Sequence, residues 1–129
     1  MTIPMWCMLA GLILPYVWHG ASVPFRLKQF DAIDAAKPRE QADRLTDAGY
    51  GAWGAQLNAW EALAVFTVAN VIAFMGGVDP AGNWSLAAII WVAVRFLHGV
   101  FYIANIPPLR ILCFTTGLAM SIWIIAMAM

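Results

Sequence analysis

Charge is what this chain has least of. Only 11% of its 129 residues are Asp, Glu, Lys or Arg, seven of each sign, and the formal net charge is zero. Nothing in that balance supplies a basic surface for phosphates, which excludes a nucleic-acid partner. Cysteine is also scarce. Cys7 and Cys113 fall near the starts of the first and fourth apolar runs, and in a chain that crosses a bilayer four times those starts lie at opposite faces. An intrachain disulfide is therefore geometrically excluded, and both thiols read as buried packing groups. The two histidines, His19 and His98, have no second histidine at ligand spacing and no cysteine pair beside them, so neither a metal nor a haem site is expected. No basic residue precedes the first apolar run, which begins Met1-Thr2-Ile3-Pro4-Met5-Trp6, and no small-residue cleavage site follows it. That run reads as a retained span rather than a removed signal.

What the chain has instead is hydrophobic length. Residues of the apolar classes make up 63%, well above the ~45–50% of an ordinary soluble domain. The expected fold is all-α, an integral membrane four-helix bundle in one domain over residues 1–129, with spans of about 3–23, 53–76, 84–106 and 109–129. Pro15 is expected to kink the first span, and His19 near its exit to be solvated. Between the first two spans, residues 25–52 form the one substantial polar loop, where Arg26, Lys28, Lys37, Arg39 and Arg44 interleave with Asp31, Asp34, Glu40, Asp43 and Asp47. Pro38 is placed to open a short surface helix there, and the mixed charges read as a solvated face. The breaker-rich turn Gly76–Asn83 has no Lys or Arg. The positive-inside rule therefore puts the long loop in the cytoplasm and both termini across the membrane. The seven methionines and seven tryptophans are dispersed as packing and interfacial groups.

Against this background the polar residues inside the spans stand out. Asn58 and Glu61 lie one turn apart in the second span. An ionisable group near the bilayer midplane costs at least ~2.5–3.5 kcal/mol, so Glu61 needs a cation, a proton or a wet cavity. The third span carries Arg95, His98 and Tyr102 at spacings of three and four, along one helix face. At a rise of ~1.5 Å per residue, Arg95 lies ~15 Å from the end near Asn105, and Glu61 ~12 Å from Trp53. The matching depths lead to the expectation that Glu61 and Arg95 pair, within one subunit or across two, with Asn58 bonding nearby. Two readings stay open: a structural ion pair between helices, or a cavity for a polar ligand. Arg110, after Pro107-Pro108, reads as an anchor that snorkels to the interface or as part of a pocket mouth shared with Asn58 and Tyr102. A small four-helix multidrug exporter would carry its essential carboxylate in the first span, and that span has no acid.

These residues carry a resemblance. Ala55-Gln56-Leu57-Asn58-Ala59-Trp60-Glu61 resembles the Arg-Ala-x-x-Asn-x-x-Glu that opens the second span of the MAPEG family, the membrane-associated proteins of eicosanoid and glutathione metabolism. Arg95-Phe96-Leu97-His98-Gly99-Val100-Phe101-Tyr102 resembles its third-span Arg-x-x-His/Tyr-x-x-x-Tyr, and Arg110 falls where a family arginine opens span four. The set covers nearly the whole chain and matches a short member of bacterial type, similar to microsomal glutathione transferases. The resemblance implies a homotrimer that binds glutathione between neighbouring subunits. Asn58, Glu61, Arg95, His98 and Tyr102 would then hold the peptide, and Arg110 would stabilise its thiolate. A lipophilic small molecule would enter from the bilayer between spans one and four. Two departures are plain: Gly54 stands where the family motif has arginine, and Ile111-Leu112-Cys113-Phe114 offers no hydroxyl after Arg110. The alternative reading is a non-catalytic member of the same fold that binds a lipid or a protein partner.

Overall fold

The computed structural model describes residues 1–129 as five helices and no strands: α1 (Ile3–Phe30), α2 (Pro38–Asp43), α3 (Asp47–Met75), α4 (Asn83–Ile103) and α5 (Pro107–Ala126). The four long helices are each long and apolar enough to cross a membrane, as the hydropathy predicts. Pro38 opens α2 from within its first turn, and Pro107 and Pro108 do the same for α5, where a missing N–H is no loss. Helix α1 runs unbroken through Pro15 and Pro24.

Two helices run beyond the spans expected from composition: α1 continues past residue 23, and α3 begins before residue 53. Helix α1 has 28 residues and α3 has 29, about 42 Å each at the helical rise, against a hydrocarbon core of about 30 Å. Both extend past the apolar layer, so the polar connection shrinks to residues 31–46. The onset of charge marks where the chain leaves the hydrocarbon, and that is a different event from the end of the helix. Leu27, Lys28 and Gln29 are good helix formers, and α1 continues until Asp31 turns left-handed at φ 64° and donates its N–H to the Leu27 carbonyl.

The segment between α1 and α3 is tied down by polar side chains. Gln41 is buried; its amide donates to the Ala32 carbonyl at 2.8 Å and its oxygen accepts from Asp34 N–H at 3.2 Å. Trp53 Nε1 donates to Asp43 Oδ1 at 2.8 Å, which fastens α2 to α3. Arg26, which the charge pattern assigns to the solvated loop, is in fact only 2% exposed and donates from Nη1 to the Pro38 carbonyl at 3.0 Å. It continues the buried face of α1, on which Leu14, Trp18, Ser22 and Arg26 recur every four residues.

Within the membrane layer α4 packs against α1, α3 and α5, and α3 packs against the same two outer helices. The main core joins Phe66 of α3 to Trp91 of α4, stacked at 3.8 Å with planes 7° apart, beside Ala69, Ala73, Ala87 and Ile124. Small residues dominate this core because apolar burial gives helices little reason to associate inside lipid, so close van der Waals approach has to supply it. At Gly99 a Cβ would come within 2.2 Å of the Trp18 ring, so α1 and α4 meet here only because α4 has glycine. One buried polar pair crosses the core, where Trp84 Nε1 donates to Asn70 Oδ1 at 2.8 Å while Asn70 Nδ2 donates to the Phe66 carbonyl at 2.7 Å. Both cysteines are free and buried, and His19 is exposed.

Candidate functional site

The polar residues of α3, α4 and the start of α5 lie along one continuous tract. Asn58 stands at its centre. Its side-chain and main-chain oxygens both accept from Nη2 of Arg95, the main-chain bond measuring 3.2 Å, and its Nδ2 donates to Glu61 Oε2 at 3.4 Å. Arg95 is 3% exposed, and its Nε is buried without a partner. Gly117 makes room for it, since a Cβ there would lie 3.1 Å from Arg95 Cδ.

This arrangement corrects the expected ion pair within one chain. Glu61 and Arg95 share depth and surroundings, but Asn58 lies between them and takes the guanidinium through both of its oxygens. The chain's single ion pair is an exposed one, Lys37–Glu40 at 3.2 Å, far from this site in the polar segment. Glu61 itself is exposed on the surface of the isolated chain. An exposed carboxylate at mid-span cannot face acyl chains without a cost of several kcal/mol (~2.5–3.5 on insertion scales), so Glu61 still needs a cation, a proton or water on this side.

Toward the α4–α5 turn the tract becomes aromatic. His98, one turn from Arg95, is buried, with its ring edge-on to Tyr102 at 5.6 Å and tilted against Phe114 at 6.3 Å. The Tyr102 ring lies under the Arg110 guanidinium, 4.3 Å from Cζ to ring centre. Such a cation–π contact contributes ~0.5–2 kcal/mol, depending on how dry it is.

Three cavities run along these residues. A mostly apolar one of about 160 Å³ sits between α3, α4 and α5, walled by Asn58, Glu61 and Arg95 together with Val65, Phe114 and Leu118. The second, about 250 Å³, also touches Asn58 and Glu61 and reaches Gly54, Tyr50 and Tyr102. The third, about 460 Å³, is walled by Tyr50, Tyr102, Asn105, Arg110 and Asp47. The three adjoin one another: Asn58 and Glu61 line both the first and the second, and Tyr50 and Tyr102 line both the second and the third.

The structure thus gathers Asn58, Glu61, Arg95, Tyr102 and Arg110 on the walls of these adjoining cavities. His98 lines none of the three cavities and instead backs the Tyr102 ring. Tyr50 and Asp47 are among the wall residues that escaped the sequence reading, because both were assigned to the polar loop. Once α3 is seen to begin at Asp47, Tyr50 falls four residues before Gly54 and eight before Asn58, on the same helix face. No group of acidic, histidine and cysteine side chains is arranged to hold a metal ion.

Comparison with curated proteins and with solved structures finds no match. A sequence model of the MAPEG family matches residues 3–129, essentially the whole chain. With four membrane-spanning helices and that full-length match, the chain belongs to the MAPEG family.

Proposed function

We propose that the protein is a glutathione transferase or peroxidase that acts on lipophilic electrophiles, working as a homotrimer with glutathione held along the tract between Arg95 and Arg110. The observation that carries this reading is the set of charges on the walls of the adjoining cavities: the Arg95 cation and the Glu61 carboxylate with Asn58 between them, and the Arg110 cation over Tyr102. Glutathione carries two carboxylates, an ammonium and a thiol. Arginines recognise carboxylates by geometry as well as charge, and a carboxylate such as Glu61 suits an ammonium.

The chemistry follows from the same charges. A free thiol has a pKa of ~8.5, and a neighbouring cation raises the thiolate fraction at neutral pH. Arg110 is the cation assigned that task. The thiolate sulfur then attacks an electrophilic carbon, forms the S–C bond and expels the leaving group. The apolar cavity beside Val65, Phe114 and Leu118 suits the lipophilic acceptor. The exposed Glu61 supports the trimer in this reading, because a neighbouring subunit would cover that face. The positive-inside rule assigns the polar segment 31–46 to the cytoplasmic side, and the resemblance to short members of bacterial type assigns the protein to the inner or plasma membrane of a bacterium.

A second reading has its own support. Gly54 in place of the motif's arginine, and the run Ile111-Leu112-Cys113-Phe114 without a hydroxyl, favour a non-catalytic member that keeps the fold and binds a lipid or a protein partner. The purified protein, assayed for conjugation of a chlorinated nitroaromatic, separates the two. The transferase reading expects a rate that saturates with glutathione. A rate equal to the enzyme-free background at millimolar glutathione overturns it in favour of the second.

A further inference from the structure

The second cavity differs from its two neighbours in charge. Arg95 lines the first and Arg110 the third, but the wall of the second carries two carboxylates, Asp43 and Glu61, and no Lys, Arg or His. Three aromatic residues, Tyr50, Trp53 and Tyr102, share that wall. Two like charges on one cavity repel each other and favour a cation between them, and aromatic faces attract the same kind of group. Asp43 belongs to neither of the motifs in α3 and α4. It reaches the cavity from α2, in the polar segment whose mixed charges read as a solvated face in the sequence.

Asp43 is also held in place. Its Oδ1 accepts from Trp53 Nε1 at 2.8 Å, while its Oδ2 has no partner in the chain. Glu61 is in the same condition, with Oε2 accepting from Asn58 Nδ2 at 3.4 Å and Oε1 free. Each carboxylate is steadied through one oxygen and leaves the other open. An ammonium has three donors and no acceptor, so it can bond two such oxygens at once.

We infer that Asp43 is a further substrate-binding residue: with Glu61 it takes the ammonium of the γ-glutamyl group of glutathione in the second cavity, and Trp53 is the residue that positions it. This rests on the glutathione reading above. It adds to that reading a selection by charge. A thiol peptide that keeps both carboxylates but lacks the ammonium leaves the two acids unpaired, and a site built to bond a polar group discriminates against the analogue without it.

The test compares two ligands by isothermal titration into the full-length protein in detergent: glutathione, and glutaryl-cysteinylglycine, which is glutathione without its amino group. Asp43→Asn is the informative variant, because asparagine keeps an oxygen to accept from Trp53 and loses only the charge. Asp34→Asn is the control. It removes an acid from the same segment that lines none of the three cavities, and its oxygen still accepts from the Ala36 and Lys37 N–H groups. Wild-type protein is expected to bind glutathione about tenfold or more tightly than the desamino peptide. Asp43→Asn should weaken glutathione about tenfold without weakening the desamino peptide, whereas Asp34→Asn should move neither. Equal weakening of both ligands in Asp43→Asn, or of neither, overturns the assignment, as does an equal loss of glutathione affinity in Asp34→Asn. Binding of neither ligand to the wild-type protein overturns the glutathione reading itself, and the subsite falls with it.

Discussion

Asn58→Ala is the substitution that weighs the centre of the site most directly. Arg95 is 3% exposed, its Nε has no partner, and both acceptors of its Nη2 belong to Asn58. Alanine removes the side-chain acceptor and leaves the main-chain oxygen at 3.2 Å. A hydrogen bond to a charged group contributes ~1.5–3 kcal/mol, and removing the whole partner of a buried charge costs ~3–5 kcal/mol. Because one acceptor survives, the lower range applies, about 2 kcal/mol, or roughly thirtyfold in the folding equilibrium. The loss of the Asn58 Nδ2 bond to Glu61 adds little, since that bond is long at 3.4 Å and its acceptor is exposed. The assay is equilibrium unfolding in mixed micelles followed by circular dichroism. Val68→Ala, at an exposed apolar position on the same helix, serves as the control and should stay within ~0.5 kcal/mol. Asn58→Ala unfolding at the same point as the control would refute the claim that Asn58 carries the buried guanidinium.

Two further outcomes follow from single contacts. Asn70→Leu strands the buried Trp84 Nε1 and Trp84→Phe strands Asn70 Oδ1; each should cost ~1–3 kcal/mol, while the double variant costs less than their sum by thermal unfolding, and additive losses would contradict a shared bond. Arg110→Ala should lower the conjugation rate at least tenfold while costing only the ~0.5–1 kcal/mol of its contact with Tyr102 in stability; undiminished turnover would remove Arg110 from its assigned role.

The four spans were legible in the sequence because the bilayer imposes a length and a composition that few other environments do. Their ends were not, since the charge of Arg26 and Lys28 reports the edge of the hydrocarbon while α1 continues to Phe30. Spacing placed Arg95, His98 and Tyr102 on one face, and depth brought Glu61 beside Arg95. Depth alone could not show that Asn58 intervenes, because the choice between two acceptors turns on rotamers and on the room that Gly117 leaves beside the Arg95 side chain.

The account turns on whether this tract holds glutathione, and isothermal titration of the purified protein measures that without any second substrate. It predicts saturable binding at or below millimolar glutathione, lost in Arg95→Gln while the variant stays folded by circular dichroism. Absence of saturable binding to the wild-type protein, or equal affinity in Arg95→Gln, would contradict it.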